Sequence, residues 1–185
     1  MVQTNATLVT SEFADFFKTN GFVVSVSVDG PKYVHDANRV YCENNGSFDM
    51  VMRGVGSLRK AGLNPPVIAT VTKDTAKYAR ETFKFFAESG FTDIKFSPVY
   101  DSVADNFSIS SDDWFAYLKN ILDAWFEYGD ASIKIREIDE VLAWLSNKTI
   151  SMCSSRQSCL SWVSLDPNGG FTRVNISAHT CRMEI

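Results

Sequence analysis

Runs of β-branched residues alternate with helical apolar periods along the first hundred positions of the chain. Residues 22–28 (FVVSVSV) read as a strand. Ahead of them, Ser11 can cap a helix with Phe13, Phe16 and Phe17 on one face, stopped by Gly21. Asp29-Gly30-Pro31 signals a turn. A helix is expected from Ser47 to about Ala61, because Phe48, Val51, Met52, Val55 and Leu58 recur at spacings of three and four. Gly62 stands where a left-handed cap belongs. Residues 66–72 (PVIATVT) form the next strand run. Asp74 then opens a helix through Ala76, Ala79, Phe83 and Phe86, ended by Gly90, and residues 94–98 form another short strand.

Residues 1–4 read as the tail of an earlier strand, so four strands alternate with helices. Short links between them imply a parallel sheet with right-handed crossovers. A chain that opens at the end of a strand is expected to be part of a longer protein. After Val99 the pattern changes. A polar loop leads to Ser110 or Ser111, which starts a long amphipathic helix through Trp114, Leu118, Ile121, Leu122 and Trp125, ending before Gly129. Residues 132–135 are a short strand candidate and 138–145 a short helix. Residues 160–165 and 171–176 read as a β-hairpin around Pro167-Asn168-Gly169-Gly170.

Composition narrows the class. The 185 residues are 45% hydrophobic and 13% aromatic, ordinary for a globular domain and unlike a disordered chain. Nothing approaches the ~18 apolar residues of a membrane span, and no signal peptide is visible. Four Cys are too few for a disulfide scaffold, so a cytoplasmic location is expected. The net charge is −4, with no basic stripe for nucleic acid and no attraction to anionic membranes.

Ligands of open parallel sheets sit at the carboxyl ends of the strands. The polar residues there are Gln3, Thr4 and Asn5, then Ser25, Ser27 and Asp29, then Thr70 and Thr72, then Ser97. Ser25 and Ser27 share one face of their strand and Val24, Val26 and Val28 the other. That suits a helix outside and a cavity inside. It equally suits two tolerated serines beside a tight turn. Read alone, Arg39 could form a surface ion pair. Asp139 could be an acid favoured at a helix start, and Glu137 and Glu140 flank it. His35 and His179 are too isolated to mark a zinc site, and Cys42 reads as a free loop thiol.

Several motifs recur in one order. They are Gln3-Thr4-Asn5-Ala6-Thr7-Leu8, Ser25-Val26-Ser27-Val28-Asp29-Gly30-Pro31, His35-Asp36-Ala37-Asn38-Arg39-Val40, Gly46-Ser47-Phe48-Asp49 and Val51-Met52-Arg53-Gly54. Ile135-Arg136-Glu137-Ile138-Asp139, Cys153, Cys159 and Asp166-Pro167-Asn168-Gly169 follow. Together they resemble the radical S-adenosylmethionine enzymes that modify peptides and proteins, closest to anaerobic sulfatase-maturating enzymes and ribosomal-peptide maturases.

The resemblance implies an α/β fold: a partial (β/α)6 barrel, of which residues 1–130 supply about the last four strands. Residues 131–185 would begin a cysteine-containing extension of the SPASM type. The family's C-x3-C-x2-C loop, whose thiolates hold the radical-generating [4Fe–4S] cluster, has no counterpart in this sequence. The missing N-terminal half of the barrel is therefore an expected partner. The family match places Gln3, Asn5, Ser27 and Arg39 around S-adenosylmethionine, where an Arg suits the methionyl carboxylate. Asp139 falls where sulfatase-maturating relatives carry the proposed proton acceptor. Cys153 and Cys159 match the opening of an auxiliary iron–sulfur site.

The expected function is thus a fragment of an enzyme that modifies a peptide or protein side chain after hydrogen abstraction by a 5′-deoxyadenosyl radical, inactive as this chain alone. The alternative is a non-catalytic half-barrel that binds a peptide or partner. An unrelated phosphate-binding α/β module is disfavoured, because no Gly-rich loop follows any strand.

Overall fold

A computed structural model describes residues 1–41, 45–100 and 107–146, and the backbone of 163–165 and 171–173. The chain divides into two compact units, Met1–Glu137 and Ile138–Ile185.

The first unit is built on a five-stranded sheet in the order β1-β2-β3-β4-β5, every pair parallel. The strands are β1 (Val2–Thr4), β2 (Val24–Ser27), β3 (Val67–Val71), β4 (Asp93–Pro98) and β5 (Lys134–Ile135). Spatial order equals chain order, as right-handed crossovers in one direction require. The expected sheet of four strands is thus extended by a fifth. The short candidate at 132–135 narrows to two residues that pair with Asp93 and Ile94.

The helices are α1 (Ser11–Thr19), α2 (Lys32–Asn38), α3 (Phe48–Lys60), α4 (Ala79–Glu88), α5 (Ser111–Tyr128) and α6 (Arg136–Leu145). Thr10 caps α1 in place of Ser11: its backbone is extended and its hydroxyl accepts from the Phe13 N–H at 3.3 Å. Ser110 caps α5 in the same way, accepting from Asp113. Gly129 ends α5 at φ 75°, the left-handed position expected of it. α2 has no counterpart in the hydrophobic pattern. A single 3-10 turn, Ala76–Tyr78, precedes α4 where one longer helix was expected.

The core lies on one face of the sheet. Phe96 of β4 meets Phe86 of α4 at 6.2 Å and Tyr117 of α5 at 5.3 Å between ring centroids. Phe83, Phe91, Ile94, Leu58 and Ile121 are fully buried around them. α1 departs from expectation: Ala14 is its buried residue, while Phe13 and Phe16 are exposed. With Phe17 and Phe22 they form a chain of ring contacts at 5.8–6.4 Å.

In the second unit the hairpin is present as β6 (Val163–Leu165) and β7 (Phe171–Arg173), antiparallel, with Ser164 opposite Thr172. Among the described residues no helix is long and apolar enough to cross a membrane.

Candidate functional site

Alternation and register place Gln3, Ser25, Ser27, Thr70, Lys95 and Ser97 on the sheet face opposite Phe96. Gln3 is the register partner of Ser25, and Thr70 of Ser97. Val26, Val67, Ala69, Ile94 and Phe96 take the helix-covered face and are buried. That face therefore carries polar side chains on each strand from β1 to β4, with Ile68 of β3 the apolar residue between Ser27 and Lys95. This is the division that Ser25 and Ser27 foreshadow in the sequence.

Arg39 follows α2, whose backbone begins at Pro31 just past the Asp29-Gly30 turn. Its guanidinium lies side-on to Asp29, with Nε to Oδ2 at 2.6 Å and Nη2 to Oδ1 at 3.0 Å. Nη2 also donates to Thr70 Oγ1 at 3.2 Å. Asp29 is buried, its side chain 2% exposed, while that of Arg39 is 30% exposed. The partly buried pair and its two-point geometry make this more than a surface ion pair. Asp29 Oδ1 further accepts from the Thr70 N–H at 2.8 Å, a donor of β3 beyond the end of the β2 ladder.

His35 closes the arrangement. It is fully buried. Its Nδ1 accepts from the Asp29 N–H at 3.2 Å, so the ring proton sits on Nε2, which lies 3.0 Å from Ser47 Oγ. Ser47 Oγ in turn donates to the Arg39 carbonyl at 3.0 Å. Burial holds the imidazole below its ordinary pKa. His35 is thus a neutral structural link rather than a metal ligand. Asp36 beside it caps α3 by accepting from the Phe48 N–H at 2.9 Å.

The other expected contacts cluster at the end of β1. Gln3 Nε2 makes a long 3.4 Å contact to Ser27 Oγ. Asn5 Oδ1 accepts from the N–H and the hydroxyl of Thr7, at 3.2 and 2.9 Å, which leaves its amino group available to a ligand. Ala6, next in line, is buried at φ 59°. Gln3, Ser27 and Arg39 therefore share one polar surface, with Asn5 on the adjoining loop.

Glu137, which the sequence marks only as a carboxylate flanking Asp139, is the buried acid of this region. It follows β5, and its Oε2 accepts from the Phe96 N–H at 3.2 Å, taking up a donor of β4 just past the short ladder. Oε1 is buried without a partner among the described residues. Burial pushes the carboxyl up to about 7. The neighbouring Arg136 forks onto Asp93, Nε to Oδ1 at 2.8 Å and Nη2 to Oδ2 at 3.0 Å. Asp139 lies on α6 and is solvent-exposed. Cys153 and Cys159, like Cys42, lie outside the described residues. Among the described residues no cluster of His, Cys, Asp and Glu could hold a metal.

This parallel sheet, with helices on one face and polar groups gathered at the carboxyl ends of its strands, matches the fold of solved radical S-adenosylmethionine structures. One, native anSMEcpe with bound AdoMet, superposes with a TM-score of 0.82 at 29% identity, covering 92% of this chain and 49% of that one. Another, native anSMEcpe with bound AdoMet and a Cp18Cys peptide, gives 0.75 at 30% identity over 85% and 46%. Several homologues of the chain are anaerobic sulfatase-maturating enzymes of that family. The cysteine-type enzyme of Clostridium novyi is 29% identical over 165 residues, 85% of this chain and 44% of the relative. That of Clostridium perfringens is 29% identical over 175 residues, 91% and 47%. The serine-type enzyme of Bacteroides thetaiotaomicron is 29% identical over 177 residues, 85% and 43%. The chain spans less than half the length of these curated relatives. No protein-family model matches it.

Proposed function

We propose that this chain forms the S-adenosylmethionine-binding part of a radical enzyme that modifies a peptide or protein side chain. Arg39 carries the reading. It is a cation held at the carboxyl end of a parallel sheet, on the polar face, by a buried carboxylate. Its remaining amino group suits the methionyl carboxylate. Ser27 Oγ and the Gln3 carbonyl are acceptors for the methionyl amine, and the Asn5 amino group is a donor for a ribose hydroxyl. The donor set therefore fits this cofactor.

The four cysteines of the chain lie outside the described residues. Cys153 and Cys159 remain candidate ligands of an auxiliary cluster. When bound to a reduced [4Fe–4S] centre, S-adenosylmethionine supplies the hydrogen-abstracting chemistry. This chain's own residues would hold and orient the cofactor, and Asp139 would take the proton released from the substrate.

The sheet is read as part of a partial (β/α)6 barrel. The position of β1 at the edge of the sheet supports the pairing of further βα units there. The relative crystallised with a Cp18Cys peptide supports a peptide or protein as substrate.

The test replaces Asp139 in a protein that joins this chain to a cluster-binding half. Asp139→Asn should leave S-adenosylmethionine binding and 5′-deoxyadenosine release largely intact while blocking peptide modification, because a base acts only after hydrogen abstraction. Peptide product at the unaltered rate would refute the assignment, and Glu137 and Glu140 would be tested next.

A further inference from the structure

The hydrogen bonds around Arg39 form a closed ring. Asp29 holds the guanidinium. The Asp29 N–H is held by His35 Nδ1, His35 Nε2 meets Ser47 Oγ, and Ser47 Oγ holds the Arg39 carbonyl. The ring thus grips Arg39 at its backbone and at its side-chain tip.

Donor arithmetic gives the ring a consequence. A guanidinium has five N–H donors. Nε spends its one hydrogen on Asp29 Oδ2. Nη2 spends one on Asp29 Oδ1 and the other on Thr70 Oγ1. Both edges that could fork onto a carboxylate are therefore used, and among the described residues the two Nη1 hydrogens remain. Thr70 is itself fixed, because its N–H is bound to the same Asp29 Oδ1. An anion arriving on the polar face meets one amino group in a set position.

We propose that Asp29, His35 and Ser47 are positioning residues that hold Arg39 so that only Nη1 is offered to the carboxylate of the ligand. This rests on the reading that Arg39 contacts the methionyl carboxylate. It adds that recognition is one-pointed and depends on three residues that need not touch the ligand. Asp29 supplies the counter-charge, which keeps the guanidinium from swinging onto the ligand side-on. His35 and Ser47 couple the Asp29 backbone to the Arg39 backbone, so neither can shift alone.

Binding of S-adenosylmethionine and of its decarboxylated analogue to the full chain, measured by calorimetry, separates positioning from bulk stability. The quantity read is the ratio of the two dissociation constants. The unaltered chain should prefer the carboxylate-bearing ligand, and Arg39→Ala should abolish the preference. Ser47→Ala should cut it by about three- to tenfold, the range of one hydrogen bond, and Asp29→Asn by about tenfold or more. Binding of the decarboxylated analogue should stay unchanged in both. If the unaltered chain prefers the carboxylate no more than Arg39→Ala does, the reading of Arg39 as the carboxylate contact falls. If Arg39→Ala loses the preference but Asp29→Asn and Ser47→Ala keep it, or weaken both ligands alike, the positioning role falls and the Arg39 reading stands. Ser47→Ala is the milder change and serves if Asp29→Asn does not fold.

Discussion

Gly54 of α3 lies directly against the carbonyl oxygen of Ala6, and a Cβ at Gly54 would overlap that oxygen. Ala6 is itself held at φ 59°, a left-handed conformation that costs a non-glycine residue roughly 1–2 kcal/mol. The close approach of α3 to the loop after β1 thus fixes the backbone beside Gln3 and Asn5. Gly54→Ala should destabilise the chain by about 1–3 kcal/mol, the usual cost of overpacking. Urea unfolding measures it, and an unchanged midpoint would show that the loop can retreat.

Ala6→Gly makes the complementary case. It deletes a fully buried methyl, worth roughly 0.8 kcal/mol, and adds backbone freedom worth about 0.5–1 kcal/mol. Relief of the left-handed strain offsets both, so the net change should be near zero. Ala14→Gly in α1 loses a comparably buried methyl and a helical alanine without any relief, and should cost about 2 kcal/mol. Equal losses at the two alanines would contradict the strain at Ala6.

Glu137 makes stability depend on pH. Its carboxyl titrates near 7 in the folded chain against 4.5 when unperturbed. The folded state therefore favours the protonated acid. That contribution is fully present below about pH 4.5 and is lost as pH rises through 7. Glu137→Gln keeps an acceptor for the Phe96 N–H and removes the charge. It should stabilise the chain by on the order of 1–3 kcal/mol at pH 8 and change little at pH 4. Thermal melts at the two values check this; a gain of equal size at both would contradict a buried, titrating carboxyl.

His35 acts with the opposite sign. Burial lowers its folded-state pKa, so the stability it contributes is present above about pH 6.5 and is lost as pH falls through the lowered value. Nitrogen-15 spectra should show a neutral ring with its proton on Nε2 at pH 7. A charged imidazole at that pH would break the link from Asp29 to Ser47.

Much of this architecture was legible beforehand, and the exceptions have physical causes. β2, β3 and β4 announce themselves through Val and Ile runs, and α3 and α5 through long apolar periods closed by Gly62 and Gly129. α2 escapes because its seven residues bury only Val34 and His35, too few for a period. β5 is two residues long and exists because β4 offers it an edge. The motif singled out Arg39 as a candidate ligand contact. Its geometry was not legible, since Asp29 and Thr70 stand 41 residues apart in sequence. Glu137 shows the same limit: its role depends on where β5 stops pairing, which no local pattern records.

The polar face at the carboxyl ends of β1, β2 and β3 is proposed to bind S-adenosylmethionine. Nuclear magnetic resonance titration of the labelled chain with S-adenosylmethionine tests it most directly. Saturable shifts are expected at Gln3, Asn5, Ser27, Arg39 and Thr70, with affinity reduced about tenfold to a hundredfold by Arg39→Ala. Shifts confined to other surfaces, or an affinity untouched by Arg39→Ala, would contradict it.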